Sequence, residues 1–309
     1  MRIAIIGAGA LGLYYGALLQ RGGHDMQFLL RRDYSAIRDN GLRVTSPDGN
    51  FHLEKVNGFR TTEEMVDVDL VLVGLKTFAN HRLVELCTPL MTTPETIILT
   101  LQNGLGNEEL LAAAFGAERV MGGIAFLCSN RGEPGFVHHL DQGRIRIGEM
   151  QGGPSERLQQ LTDMFNASTI SCEAVSDLQK ARWEKLVWNI PFNGLCALLQ
   201  EATDALLSRE EMRCEIAAIM HEVIDAGNAQ ELSSPIDATP FIKRMIEVTL
   251  GMGAYRPSMM IDRSEGHPLE LDSIYRLPLQ RAEDRGVIMP KTGLLCAQLA
   301  AGESHTRPG

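Results

Sequence analysis

Residues 2–6, Arg-Ile-Ala-Ile-Ile, are apolar after the first position, the pattern of a short strand buried on both faces. Runs of the same kind recur at 25–30, 69–75, 96–101 and 120–128. Between them lie segments of helical character: 10–21, closed by Gly22 and Gly23, and a crossover that includes 85–90. Strand and helix alternating in this way predict an α/β Rossmann-type, doubly wound sheet, with ligands outside the carboxyl ends of its strands. Residues 135–149 read as a hairpin, 154–166 as a helix and 170–175 as a last strand.

After residue 175 the period changes. Segments 177–200, 204–230, 237–250 and 271–285 carry the 3.6-residue period, with no strand run of comparable strength. The expectation is therefore an N-terminal Rossmann domain over residues 1–175 and an all-α C-terminal domain over 176–309, with a disordered tail from 302 to 309.

Composition narrows the class of function. A chain of 309 residues suits two domains, each with its own core. The 29 basic and 39 acidic residues leave a formal net charge of -10, and no long basic run offers a surface for nucleic acid or anionic membrane. With a strand starting beside Met1 and no apolar run near the length of a bilayer span, a cytoplasmic protein is expected. Six scattered cysteines without a Cys-x-x-Cys pair read as buried or partly buried free thiols. His138 and His139 would face opposite sides of a strand and have no third ligand at metal spacing, so no metal is expected.

The first strand runs into Gly7-Ala8-Gly9-Ala10-Leu11-Gly12. In a chain with 30 glycines the motif alone is weak, but its place between a strand and a helix is the one a dinucleotide requires. Gly7 permits a tight turn, Gly9 lets a pyrophosphate approach the backbone, and Gly12 lets the helix pack on its strand, with the positive helix end toward the phosphates. The second strand ends in Arg31-Arg32. A guanidinium there suits the 2′-phosphate of NADP(H), where an acid would suit NAD; Asp33 follows, but past the strand end. Lys76 and Asn103 stand at the carboxyl ends of later strands.

In the helical half, Lys185, Asn189 and Asn193 are spaced i, i+4, i+8 within an apolar stretch, one stripe drifting by about 40° per step. A buried amide without partners costs about 1–3 kcal/mol, which a polar ligand would relieve. A lysine snorkelling to water beside amides bonded to helix backbone fits the spacing as well. Pro191, inside the stretch, predicts a kink and a freed carbonyl.

Taken with Ser258 and Glu270, these residues resemble the ketopantoate reductase (2-dehydropantoate 2-reductase) family over nearly the whole chain. The matching pieces are the glycine loop, Arg31, Leu75-Lys76, Gln102-Asn103-Gly104, Trp183 to Asn193 with its Lys-x3-Asn-x3-Asn order, Pro257-Ser-Met-Met-Ile-Asp262 and Glu270-Leu-Asp272. The resemblance implies an active site between two domains and NADPH-dependent reduction of 2-dehydropantoate to (R)-pantoate, in pantothenate and coenzyme A biosynthesis. It implies Lys185 as general acid, with Asn103 beside the reacting carbonyl. Asn189, Asn193, Ser258 and Glu270 are implied as substrate contacts, and Lys76 and Asn103 as bordering the cofactor held by Gly7 to Gly12 and Arg31.

The chain departs from the family pattern around the acid: Leu269 replaces a Thr before it, Tyr275-Arg276 replace an Asn-Gly after it, and Thr203 stands where some members have Asn. A paralogous reductase of another 2-oxo acid is therefore a second reading. Two others are a non-catalytic NADP-sensing protein, in which Lys185 would be superfluous, and a 3-hydroxy acid dehydrogenase, in which an acid would often replace Arg31. The expected partner is a small 2-oxo acid, with neither nucleic acid nor membrane; the long helices could support a homodimer.

Overall fold

The computed structural model describes residues 1–304. The chain divides into two compact units, 1–103 with 107–178, and 104–106 with 179–309.

The first unit is built in the order β1 (Arg2–Ile6), α1 (Ala10–Arg21), β2 (Asp25–Leu29), α2 (Tyr34–Asn40), β3 (Leu42–Thr45), β4 (Phe51–Leu53), β5 (Asn57–Phe59), β6 (Leu70–Val73), α3 (Leu83–Cys87), β7 (Ile97–Thr100), α4 (Asn107–Phe115), β8 (Val120–Arg131), β9 (Phe136–Glu149), α5 (Glu156–Ala167) and β10 (Cys172–Ala174). The sheet has ten strands in the order β4-β3-β9-β8-β7-β6-β1-β2-β5, with β10 added to β9. Strands β5, β2, β1, β6, β7 and β8 run parallel, as expected of a Rossmann half. The remainder is mixed: β8 and β9 form a long antiparallel hairpin, β3 lies parallel to β9, and β4 antiparallel to β3.

The apolar runs do what their lack of alternation predicted. Ile3 and Ile5 of β1 enter one core and Ala4 and Ile6 the other, while Leu70 and Leu72 of β6 join the first and Val71 and Val73 the second. Each face of the sheet is thus covered, and every one of these side chains is at most 1% exposed. Strands β3 to β5 have no counterpart in the sequence reading. They are three or four residues long, too short for periodicity to announce.

The second unit is helical: α6 (Leu178–Leu199, its first residue counted with the first unit), α7 (Thr203–Leu207), α8 (Glu210–Asn228), α9 (Ala238–Gly251), α10 (Ser258–Ser264), a π-helical turn (Asp272–Arg276) running into α11 (Leu277–Glu283), and α12 (Pro290–Ser304). Trp183, Leu186, Val187 and Ile190 of α6 are at most 1% exposed and anchor the core of this unit.

Four expectations need correction. The single helix expected over 204–230 is two, because the chain turns after Leu207 before α8 begins at Glu210. Residues 302–304 belong to α12 and are not a disordered tail; the rest of that expectation, 305–309, lies outside the described residues. Cys214 is exposed, whereas Cys87, Cys128, Cys196 and Cys296 are buried and Cys172 is half-buried. The hairpin expected over 135–149 is instead the single strand β9, whose antiparallel partner is β8. Pro191 lies inside helix α6. The carbonyl just before that proline, Ile190, accepts a 2.7 Å hydrogen bond from the buried hydroxyl of Tyr275. No helix among the described residues is long and apolar enough to cross a membrane.

Candidate active site

In the first unit, the turn after β1 is dictated by backbone space. Gly7 adopts φ +97°, and a Cβ there would lie 2.3 Å from the backbone nitrogen of Leu75. A Cβ on Gly12 would lie 2.3 Å from the Gly7 carbonyl, so the loop and the start of α1 close on each other only as glycines. Gly9 is different: a Cβ there would meet nothing within 4 Å. The space beside Gly9 is open where the first turn of α1 presents N–H groups that have no intrahelical acceptor. Room, bare backbone donors and a positive helix end together fit a pyrophosphate.

Lys76 and Asn103 follow β6 and β7, which are neighbours in the sheet. Lys76 is half-buried and precedes a 3-10 turn over Thr77–Arg82. A buried amide network ties the two strand ends together. Gln102 Nε2 donates to the Leu75 carbonyl at 2.8 Å and to Asn80 Oδ1 at 2.7 Å. Asn80 Nδ2 donates to Asn107 Oδ1 at 2.9 Å, and Asn107 Nδ2 to the Asn103 carbonyl at 3.0 Å. Thr100 completes it, donating to Gln102 Oε1 at 3.0 Å. These bonds fix the backbone on which Lys76 and Asn103 are mounted.

Arg31 is exposed just beyond β2. Asp33 points elsewhere, accepting from Arg131 and, at 3.1 Å, from the backbone N–H of Gly135. His138 and His139 are engaged as structural hydrogen-bond partners, the first with Thr45 at 2.7 Å and the second with Ser46 at 2.8 Å and Tyr14 at 3.1 Å.

In the second unit, α6 carries Lys185, Asn189 and Asn193 on one stripe. Lys185 is half-buried, with its Nζ 5.5 Å from the centre of the Trp188 ring. That ring is held in turn by the bond from its Nε1 to Thr249 Oγ1 at 2.9 Å. Asn189 is 2% exposed, and its Nδ2 has no hydrogen-bond partner among the described residues. Asn193 Oδ1 accepts from the backbone N–H of Met259 at 3.2 Å and lies 3.5 Å from the Ser258 hydroxyl, pinning the start of α10 to α6. Glu270 is 2% exposed and directly precedes the helical run that begins at Leu271 and includes the π-turn, a distortion frequent at functional sites. Tyr275, within that turn, ties it to α6 at Ile190.

Residues 3–152 match the sequence model of the family described as Ketopantoate reductase PanE/ApbA, and residues 177–303 match its C-terminal counterpart. The chain belongs to the ketopantoate reductase family. The "2-dehydropantoate 2-reductase" of Nostoc sp. is 41% identical over 313 residues, covering 100% of this chain and 97% of its own. The crystal structure of 2-dehydropantoate 2-reductase from Geobacter metallireducens is 55% identical with a TM-score of 0.96, covering 98% of this chain and 100% of that one. That from Methylococcus capsulatus is 30% identical with a TM-score of 0.90, over 100% and 99% of the two chains. This ketopantoate reductase family member is an oxidoreductase acting on a CH–OH group.

Two of the residues in which it departs from the family pattern have structural work. Tyr275 is fully buried and bonded to Ile190. Thr203 is also fully buried and donates to the Gly253 carbonyl at 3.0 Å. Arg276 lies at the surface, bonded to Asp272 at 2.6 Å, and the hydrogen bond and negative charge of that carboxylate raise its pKa against the lowering effect of partial burial. Asn80, Asn107 and Arg131 had no sequence signal, because each matters through a partner distant along the chain.

Proposed function

We propose that this chain catalyses the NADPH-dependent reduction of 2-dehydropantoate to (R)-pantoate, a step of pantothenate and coenzyme A biosynthesis, in the cytoplasm. The observation that carries the reading is the buried stripe on α6, where an amide without a partner at Asn189 lies one turn from a lysine ammonium. Bound NADPH supplies the hydride that goes to C2 of the ketone. The residues of the first unit would hold and orient it: Gly7 to Gly12 would receive the pyrophosphate and Arg31 the 2′-phosphate, and Lys76 and Asn103 would border the nicotinamide end and the reacting carbonyl.

Negative charge then develops on the C2 oxygen. The Lys185 ammonium stabilises it and delivers its proton to that oxygen, giving the hydroxyl, and is reprotonated from water. The ring of its neighbour Trp188, centred 5.5 Å from Nζ, attracts the ammonium and helps to hold it in place. Asn189 contributes the amide donor that has no partner among the described residues. Ser258, held by Asn193, meets the substrate carboxylate, and Glu270 accepts from the distal hydroxyl.

The test follows NADPH absorbance with 2-dehydropantoate and a panel of 2-oxo acids. Oxidation dependent on 2-dehydropantoate is expected. Lys185→Ala should lower kcat by about 10²–10⁴, the usual contribution of a positioned acid, with NADPH affinity retained. No oxidation with any 2-oxo acid would remove the reading, and full activity of the variant would remove Lys185 as the acid.

A further inference from the structure

Of the three residues that follow Leu30, two are tied to a single turn. Arg32 donates to the Gly132 carbonyl at 2.7 Å. The Asp33 carboxylate accepts from Arg131 Nη2 and from the Gly135 N–H. Arg131 ends β8, and Gly132 to Gly135 connect it to β9, almost a hundred residues along the chain. Asp33 is 2% exposed as a result. Arg31 is exposed and makes no side-chain hydrogen bond or ion pair among the described residues.

An acid near the end of the second strand is the group that would hold the ribose hydroxyls of NAD. Asp33 is of the right type and only two residues beyond Arg31, yet both its oxygens are engaged. Left uncovered, its charge would oppose a 2′-phosphate seated on Arg31. We infer that Arg131 is a positioning residue for cofactor choice: it covers the Asp33 carboxylate, and with the turn it anchors, leaves Arg31 as the charge that meets the 2′-phosphate. The inference rests on the NADPH reading above.

Calorimetric binding of 2′,5′-ADP and 5′-AMP separates the 2′-phosphate from the rest of the cofactor and needs no turnover. Wild type should prefer 2′,5′-ADP. Arg131→Gln keeps a donor to Asp33 but leaves its charge uncompensated, and should weaken 2′,5′-ADP about tenfold by like-charge repulsion. Its 5′-AMP binding should stay within about twofold, the usual scatter for an uncoupled site. Asp33→Asn, which leaves Arg131 uncovered, should tighten 2′,5′-ADP by about threefold or more and leave 5′-AMP unchanged. Equal wild-type affinity for the two nucleotides would defeat the NADPH reading itself. A wild-type preference with 2′,5′-ADP binding unmoved in Arg131→Gln would overturn only the role of Arg131. Should that variant not fold, Asp33→Asn decides alone: unchanged 2′,5′-ADP binding, or loss of 5′-AMP binding, overturns the inference.

Discussion

Replacing Asn189 by leucine should make the protein more stable and a worse enzyme. The Asn189 side chain is 2% exposed, on a helix whose neighbouring positions Leu186, Val187 and Ile190 are at most 1% exposed, and its Nδ2 has no partner among the described residues. A desolvated amide donor of this kind costs the folded state about 1–3 kcal/mol. Leucine has the same branching at Cγ and buries apolar surface in its place, at a packing cost in a tight core of about 1 kcal/mol or more. A net gain of about 1 kcal/mol follows, seen as a rise in Tm of about 2–4 °C without substrate. On the proposed role of Asn189 as a donor to a substrate oxygen, function moves the other way, because leucine removes that bond in its entirety. A fall in kcat/KM of about ten- to hundredfold, or about 1.4–2.8 kcal/mol of transition-state stabilisation, is expected. Differential scanning calorimetry with and without 2-dehydropantoate, alongside steady-state kinetics, reads both. A variant that is less stable yet has unchanged kcat/KM would refute the reasoning, since Asn189 would then be an ordinary structural residue.

Tyr275→Phe keeps the ring packed beside Gly194 but removes the 2.7 Å bond to Ile190. It should cost about 1–2 kcal/mol in denaturant unfolding, while KM for 2-dehydropantoate stays unchanged; a large KM change would make Tyr275 a specificity residue. Glu149, nearly buried at the end of β9, is raised by burial but lowered more by hydrogen bonds from Arg157 and Ser155, so its folded pKa lies below the ordinary value. The stability it contributes is present above the unfolded carboxylate pKa and lost as pH falls through the folded one. The gap in stability between wild type and Glu149→Gln should therefore be widest near neutrality and close in acid; a gap constant with pH would contradict the ion pair with Arg157.

What could be read from the sequence was local in its physics. The left-handed φ at Gly7 and the pairing of Gly12 with the Gly7 carbonyl are local to the loop, although the close approach of Leu75 to Gly7 is not, and the Lys185 stripe follows from helix period alone. Strands β1, β6 and β7 announced themselves because both faces are covered and their interiors are unbroken apolar runs, and β2 through Met26, Phe28 and Leu29 despite the buried Gln27 between them. The rest depended on distant partners. Asp33 could be seen near a ribose position, but its capture by Arg131 and Gly135 required the hairpin of β8 and β9 to fold back on it. That Asn193 meets the start of α10, or that Tyr275 reaches Ile190, involves separations of 65 to 85 residues that no periodicity encodes. The departures Tyr275 and Thr203, read as a question of substrate, have buried hydrogen-bonding roles visible only in three dimensions.

The central claim is that this oxidoreductase uses NADPH to reduce 2-dehydropantoate, and the most direct measurement is kcat/KM for 2-dehydropantoate against smaller 2-oxo acids such as pyruvate and 2-oxobutyrate, each with NADPH and with NADH. The account predicts the highest value for 2-dehydropantoate with NADPH, by at least about a hundredfold over the acids that lack a distal hydroxyl for Glu270. A smaller 2-oxo acid turned over equally well, or NADH accepted as readily as NADPH, would contradict it.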